Sequence, residues 1–330
     1  MPQSDDPQVL HERATATGLS GVVRVDVGGE VLLERAYGLA DRAHEVAATP
    51  EHRFGVASIA KGFTALAVGA LVDDGVLDLD APVRPVLDAD LPLVDDAVTV
   101  AHLLSHTSGI GDYLDESEDD DPAHYVLTRP AHTLTDTEEY LPMLAPQPQV
   151  SAPGERFAYN NSGFVVLALV AQRVSGTPFA DLVAQRVFAP AGMTRSGYPR
   201  MDEPAGDVAT GYLDEGPRTN ALHLPVVGSG DGGAVTTVGD LARFWSALTE
   251  HRIVSADVLA RLVEPVSLVE DEGMRYGRGF WLGLDDDALV LEGCDAGVSA
   301  RTRHHPGSGT TVTVLANTTS GAWPVIWGED

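Results

Sequence analysis

One serine and one lysine stand at a spacing that suits nucleophilic catalysis. Ser58 and Lys61 are three residues apart, at the start of a segment whose apolar residues recur with helical spacing as far as Gly75. On a helix this spacing places both side chains on one face, one turn apart. A serine hydroxyl attacks a carbonyl carbon once a neighbouring base takes its proton. We therefore predict that Ser58 caps this helix and acts as the nucleophile, with Lys61 as its general base.

The identity of the base as lysine carries information of its own. Lys61 is the only lysine among 21 basic residues, the other 20 being arginine. Arginine does not lose its proton in proteins, whereas the pKa of a lysine falls from about 10.4 toward neutrality when burial or a nearby cation disfavours the ammonium form. The single lysine therefore indicates a position that needs a titratable amine. Two alternatives remain: the composition simply favours arginine and contains one accidental lysine, or Ser58 is a helix cap that happens to be followed by Lys61.

A second pair of polar residues, Tyr159 and Asn161, lies in a loop that enters an apolar helix predicted over residues 162–175. A tyrosine phenol relays a proton to a leaving group, and an asparagine amide bonds both a substrate and a lysine. The same stretch also fits an ordinary turn in which Asn161 or Ser162 caps the helix. Together with Ser58 and Lys61, these residues form a candidate acyl-transfer site.

The order of several motifs resembles that of the class C β-lactamase and DD-peptidase-like serine hydrolases, which share a penicillin-recognising fold. The resemblance extends from about residue 20 to residue 318. Five segments at family-like spacings carry it: FGVASIAKGFTA around Ser58, TVAHLLSHTSGI at 99–110, PGERFAYNNSGF at 153–164, GDGGAVTTVGDLARF at 230–244 and GCDAGVSARTRHHPGSGTTVTVLANT at 293–318. Several ordered motifs are more specific than any one of them.

The resemblance implies a role for each matching position. Ser58 is implied to be the nucleophile, Lys61 its base, Tyr159 the proton shuttle and Asn161 the group that orients the acyl carbonyl. The oxyanion hole is implied to consist of the backbone N–H groups of Ser58 and of Cys294. Cys294 directly follows the family's third motif, which lies on a strand beside the nucleophile.

The third motif departs from the family pattern. Family members carry Lys-Thr-Gly, His-x-Gly or Trp-Gly-Gly on a strand beside the nucleophile, and this chain has Leu291, Glu292 and Gly293 there. We expect these three residues to contact the substrate, but they provide no cation to hold a substrate carboxylate. No cation is present whether Leu291 or Glu292 takes the first position of the motif. The resemblance therefore favours a neutral ester or amide over β-lactams and D-Ala-D-Ala termini. Cys294 is expected to border the acyl pocket.

Charge and composition exclude several partners. Asp and Glu total 49 against 21 Lys and Arg, a formal net charge of -28, which argues against nucleic acid and against anionic membrane surfaces. No basic-then-apolar leader or bilayer-length apolar run is present, so a cytoplasmic location is expected. The chain has one cysteine, and Leu103 stands between His102 and His106 where the zinc motif H-E-x-x-H has its glutamate, so we predict no metal site. We also predict no cofactor. Residues 112–121 are acidic and predict a solvated loop.

The elements that must position these residues predict an α+β sandwich. Strand-like segments at 21–37, 278–284, 288–293, 297–304 and 310–316 flank a helix-containing, loop-rich middle. We predict an antiparallel sheet covered by helices from residues 1–80 and 228–330, an inserted, mainly helical domain over 81–227, and a site in the cleft between them. After Asn317 we expect a short or absent helix, which raises the hypothesis that another copy of the chain, in a homo-oligomer, covers the exposed sheet face.

Three functions remain open on the sequence. The first is a serine hydrolase that forms an acyl-enzyme on Ser58 and acts on a small-molecule ester or amide. The second is a D-Ala-D-Ala carboxypeptidase or a β-lactamase, and the third is a ligand-binding relative without catalysis. The presence of Ser58, Lys61, Tyr159 and Asn161 together argues against the third.

Overall fold

An eight-stranded antiparallel sheet drawn from both ends of the sequence forms the centre of the molecule. The structure, a computed structural model, describes residues 4–114, 121–203, 205–213 and 215–328. The strands are β1 (Gly21–Val27), β2 (Glu30–Tyr37), β3 (Leu39–Asp41), β4 (Val46–Ala47), β5 (Phe54–Gly55), β6 (Val235–Thr236), β7 (Ser267–Val269), β8 (Met274–Tyr276), β9 (Trp281–Leu282), β10 (Leu289–Asp295), β11 (Val298–His305) and β12 (Thr310–Ala316). The order of the strands across the large sheet is β2-β1-β12-β11-β10-β9-β8-β7, and β3–β4 and β5–β6 form two small sheets.

Helices lie on both faces of this sheet. The helices are α1 (Pro7–Ala16), α2 (Ala60–Asp73), α3 (Arg84–Leu87), α4 (Val100–Leu104), α5 (Leu141–Leu144), α6 (Asn161–Ser175), α7 (Phe179–Val183), α8 (Ala189–Ala191), α9 (Val238–Thr249), α10 (Ala256–Leu262) and α11 (Trp323–Trp327). A buried core packs α2, α6 and α9 against one face, and a smaller core packs α1 and α11 against the other. The predicted α+β sandwich is confirmed.

The first hairpin shows how local sequence sets the sheet. Gly28 and Gly29 connect β1 to β2, and their φ angles of 58° and 86° are those of a two-residue turn that favours glycine at both positions. Val23 in β1 pairs with Arg35 on one side and with Val314 of β12 on the other. The hairpin predicted over 21–37 therefore lies beside the last strand of the sheet.

The back face of the sheet is covered differently from the prediction. α11 is short, as expected, but α1 packs beside it, so that Leu10 and Ala14 of α1 and Val325 and Ile326 of α11 are buried against β1 and β12. The expectation that this face is exposed is therefore wrong, and the homo-oligomer itself stays a prediction.

Several element boundaries also differ from the sequence patterns. The strand expected over 278–284 is reduced to β9, and β7 and β8 were not predicted because each is only three residues long. The large sheet takes its strands from 21–37 and 267–316, and the domain boundaries at 80 and 227 stay predictions. Within the described residues, no single helix has the length and hydropathy needed to cross a bilayer, although α6 and the following helix, bent by 82°, pass that criterion as a pair.

Candidate active site

Ser58 lies in a tight turn just before the buried helix α2. Residues Ala57–Ile59 form a single 3-10 turn, and α2 begins at Ala60 without a side-chain cap. The prediction that Ser58 caps the helix is therefore wrong. Ala57 adopts a φ of +44°, which is costly for an L-residue and persists only where the surroundings hold it. This backbone turn directs the Ser58 hydroxyl toward Lys61 instead of the helix N–H groups.

The Lys61 amine is buried and surrounded by oxygen atoms. Its side chain is 2% exposed, and its Nζ donates to Ser58 Oγ at 2.8 Å, to Asn161 Oδ1 at 2.8 Å and to the Asp231 carbonyl at 3.0 Å. Twelve successive residues of α2, 60–71, are buried, so Lys61 belongs to a helix that is enclosed on all sides. The structure thus brings Ser58, Lys61 and Asn161 together as the sequence predicts.

Asn161 is held in one orientation by the segment before residue 115. Its Nδ2 donates to the Leu114 carbonyl at 3.0 Å, which leaves Oδ1 directed at Lys61. Its backbone N–H donates to Asp112 Oδ2 at 2.6 Å, and the N–H of Ser162 donates to Asp112 Oδ1 at 2.9 Å. Asp112 therefore binds the N-terminal N–H groups of α6, where the helix dipole favours a carboxylate.

This role of Asp112 corrects the prediction for the acidic segment. Asp112 does not belong to a solvated loop, and burial raises its pKa to about 6. Residues 115–120 of the predicted loop lie outside the described residues.

A hydrogen bond joins Tyr113, on the cleft wall, to Asp231, whose backbone contacts Lys61. Tyr113 Oη donates to Asp231 Oδ2 at 2.5 Å, and burial raises the pKa of both groups. The backbone carbonyl of Asp231 is the one that accepts from Lys61. The buried pair therefore fixes the segment that presents this carbonyl to the amine.

Tyr159 lies on the wall of the same cleft among other aromatic rings. Its ring is 4.4 Å from that of His106 and stacks with that of Trp281 at 6.4 Å, centroid to centroid. Lys61 Nζ lies 4.9 Å from the centroid of the Tyr159 ring. The predicted proton shuttle is thus in the first layer of side chains around the lysine.

Gly293 brings β10 against the nucleophile. A Cβ atom at this position would lie 2.5 Å from Ser58 N and still closer to the Val56 carbonyl, so no larger residue fits without displacement of the backbone. The next residue, Cys294, lines the cleft with an exposed thiol that donates to the Thr319 carbonyl at 3.2 Å. The register predicted for the third motif therefore places Gly293 beside Ser58 N and Cys294 at the cleft.

The other two residues of the third motif have different surroundings from those predicted. Leu291 is 2% exposed and packs on Gly62 of α2, so its side chain lies in the core and does not contact a substrate. Glu292 does line the cleft, but it forms an ion pair with Arg301 of β11. Trp327 stacks over the Arg301 guanidinium at 4.6 Å. The motif itself supplies no cation, as the sequence indicates, and the guanidinium that sequence reasoning missed is on the neighbouring strand β11, where Glu292 neutralises it.

The cleft has a volume of about 1040 Å³ and reaches Ser58, Tyr159 and Gly293. The other side chains that form its walls include aromatic residues and one exposed cation: Tyr113, Phe157, Trp281, Trp323, Trp327 and Arg156. Sequence reasoning missed Arg156, although it lies inside the quoted PGERFAYNN segment. It also missed Trp323 and Trp327, for which the sequence offers no periodic signal.

The histidines considered for a metal have other roles. His102 forms a capping box with Thr99 at the start of α4, and His106 is buried among aromatic rings. In the part of the chain that the structure describes, no three His, Cys, Asp or Glu side chains are grouped for an ion.

Comparison with known proteins identifies the family of the chain. The model of the Beta-lactamase family matches residues 8–325. "Penicillin-binding protein 4*" of Bacillus subtilis (strain 168) is 29% identical over 281 residues, which cover 80% of this chain and 59% of that protein. Esterase EstB of Burkholderia gladioli is 36% identical over 196 residues, covering 58% of this chain and 49% of that protein. The chain thus spans about half to two thirds of the length of such curated relatives.

A solved structure agrees over nearly the whole fold. The penicillin-binding protein from Bacillus halodurans superposes with a TM-score of 0.90 and 37% sequence identity, covering 96% of this chain and 97% of that one. This agreement confirms the β-lactamase/transpeptidase-like fold and the resemblance that the motifs indicated. The match over residues 8–325 includes the Ser58 turn, the Tyr159 loop and β10. The chain therefore belongs to the beta-lactamase family of serine hydrolases.

Proposed function

We propose that this protein hydrolyses a small neutral ester through an acyl-enzyme on Ser58. The observation that carries the proposal is the contact between Ser58 Oγ and Lys61 Nζ at 2.8 Å inside a cleft open to small molecules. Lys61 is the general base, Tyr159 passes a proton to the leaving group and Asn161 orients the lysine and the acyl carbonyl.

The oxygen atoms around Lys61 support a cycle between amine and ammonium. A neutral amine has two N–H groups and a lone pair. Asn161 Oδ1 and the Asp231 carbonyl are acceptors that have no proton to give, so they receive the two N–H groups and the lone pair faces the Ser58 hydroxyl. When Lys61 takes the Ser58 proton, the third N–H faces Ser58 Oγ. Both states therefore satisfy the buried nitrogen without movement of the side chain.

The steps of the reaction follow from these contacts. Ser58 Oγ bonds to the ester carbonyl carbon while its proton passes to Lys61 Nζ. The negative charge on the carbonyl oxygen is stabilised by the backbone N–H groups of Ser58 and Cys294, which Gly293 brings together. The bond to the alcohol breaks, and the alcohol oxygen receives the proton through Tyr159. Water then adds to the acyl carbon while one of its protons passes through Tyr159 to Lys61 Nζ. The bond between that carbon and Ser58 Oγ breaks, Lys61 returns the proton to Ser58 Oγ, and the carboxylic acid leaves.

The walls of the cleft support a neutral substrate with an apolar part. Glu292 and Arg301 neutralise each other, and Asp112 is occupied by backbone N–H groups. Aromatic side chains, Trp281 and Trp323 among them, supply the apolar part of the wall, and Arg156 and Glu272 also line the cleft. The relative named as an esterase, at 36% identity, is consistent with this substrate class. An amide of similar size fits the same arrangement.

A second candidate rests on Arg156. This exposed guanidinium on the cleft wall is a partner for a substrate carboxylate, which β-lactams and D-Ala-D-Ala termini carry. A relative named as a penicillin-binding protein points in the same direction. The ester remains the leading proposal because the third motif itself supplies no free cation.

Hydrolysis of p-nitrophenyl acetate and of nitrocefin by wild type, Ser58→Ala and Lys61→Met tests the two candidates. We expect a burst and turnover of the ester, a covalent acetyl group on the wild-type protein by mass spectrometry, and loss of both in each variant. Nitrocefin turnover that exceeds ester turnover favours the second candidate. Ester turnover that survives in Ser58→Ala, or an acetyl group located elsewhere, refutes the proposal.

A further inference from the structure

His106 lies in the wall behind Tyr159 and takes no part in the proposed proton transfers. Its side chain is 2% exposed, and its φ of +55° is in the left-handed region, which few residues other than glycine occupy. A buried, titratable side chain on strained backbone is costly unless the surroundings depend on it.

Three contacts join His106 to three successive residues of the catalytic loop. Its backbone carbonyl accepts the N–H of Ala158 at 2.8 Å. Its ring lies 4.4 Å from the ring of Tyr159, and its Nδ1 accepts the N–H of Asn160 at 3.1 Å. Asn160 in turn caps α6 through Gly163 N at 2.6 Å, directly before Asn161. One histidine therefore binds the loop on both sides of Tyr159 and immediately before Asn161.

These contacts require the neutral ring in one tautomer. Because Nδ1 is the acceptor, the ring proton is on Nε2, which has no hydrogen-bond partner among the described residues. The ring lies among those of Phe157, Phe164 and Tyr276, at centroid distances of 5.7, 5.0 and 4.9 Å. Burial and then the charge of Lys61 hold the pKa of His106 well below its usual range. A protonated ring would lose the bond to Asn160.

We propose that His106 is a positioning residue for the acid–base machinery, which sets the places of Tyr159 and Asn161 relative to Lys61 through its neutral Nδ1 acceptor. This inference rests on the proposed acyl-enzyme chemistry. His106 touches neither substrate nor Lys61 in this role. It acts through the loop, so its loss reduces the rate of the chemical steps and leaves substrate binding unchanged.

A comparison of His106→Asn with His106→Leu tests the acceptor. Asparagine keeps an oxygen near the position of Nδ1 and tolerates positive φ, whereas leucine keeps apolar volume without an acceptor. We expect kcat per burst-titrated site to fall about 10- to 100-fold in His106→Leu with KM within about twofold, and to stay within about threefold of wild type in His106→Asn. His251→Leu is the matched control, because His251 is exposed, lies outside the site and has a φ of +56°.

Several outcomes overturn the proposal: equal loss of kcat in both variants, an unchanged kcat in His106→Leu, or an effect confined to KM. If His106→Leu does not fold, His106→Gly, which lacks the acceptor and is unstrained at this φ, replaces it and recovers activity with added imidazole. Long-range proton–nitrogen correlations of the histidine rings give a readout without substrate, and we expect the Nε2–H form of His106 at neutral pH. An imidazolium or Nδ1–H form refutes the inference even in an active enzyme, whereas an inactive wild type with the expected tautomer refutes the proposed function alone.

Discussion

Replacement of Gly293 by alanine is the most direct test of the oxyanion site. The added methyl group would lie 2.5 Å from Ser58 N, whereas non-bonded atoms of this kind rest at about 3.5 Å, so β10 must retreat from the nucleophile by about 1 Å. A misplacement of about 1 Å costs about 100-fold in rate, and loss of one oxyanion donor costs about 100- to 1000-fold in kcat. We therefore expect Gly293→Ala to lose about 3–4 kcal/mol of transition-state stabilisation.

Stopped-flow and steady-state hydrolysis of p-nitrophenyl acetate measure this loss, which should appear in acylation and in kcat with little change in KM. Urea unfolding of the same variant should show a destabilisation of about 1–3 kcal/mol from overpacking. Gly197→Ala is the control, since a Cβ there meets nothing within 4 Å and its φ is not positive. A kcat of Gly293→Ala within threefold of wild type refutes the assignment of this strand to the oxyanion hole.

Two further predictions concern Asp112 and Cys294. The pKa of Asp112 is raised from 3.8 to about 6, so the folded state holds this proton more tightly than the unfolded state, and the associated stability is present below pH 3.8 and lost as pH rises through about 6. The difference in unfolding free energy between wild type and Asp112→Asn, from urea titrations, should therefore fall by about 2 kcal/mol between pH 4 and pH 7, and parallel profiles would contradict it. Methyl methanethiosulfonate should block ester hydrolysis through Cys294, whose thiol is exposed in the cleft, while Cys294→Ser remains active and insensitive. A modified wild type with full turnover would remove Cys294 from the acyl pocket.

The sequence predicts the parts of the site that repeat a local pattern. The spacing of Ser58 and Lys61 follows from helical geometry, and Tyr159 and Asn161 precede an apolar helix whose period is plain. The hairpin of β1 and β2 follows from two adjacent glycines. These features depend on neighbours within a few residues.

The features that the sequence does not predict depend on contacts between distant segments. Arg301 faces Glu292 because β11 pairs with β10 in a given register, which composition and periodicity leave open. In the sequence Asp112 is one acid in an acidic run, and only the folded structure brings the N–H groups of α6 to its carboxylate. The motif alignment alone predicts that Leu291 contacts the substrate, whereas the pleat of β10 directs its side chain to Gly62. The turn at Ala57 has no signal, since alanine is not a residue that favours positive φ.

The pairing of β1 with β12 has a consequence for how the enzyme is made. Val23 pairs with Val314, about 290 residues later in the chain, so the sheet closes one of the longest loops that this sequence allows. Such non-local pairing folds slowly, and a growing chain exposes the unpaired edge of β1 until the final strands leave the ribosome. Ser58 and Lys61 emerge early, whereas β10, against which Ser58 lies, emerges among the last strands. Under the proposed mechanism, hydrolysis therefore has to wait until the sheet closes, because Ser58 lies apart from β10 during synthesis.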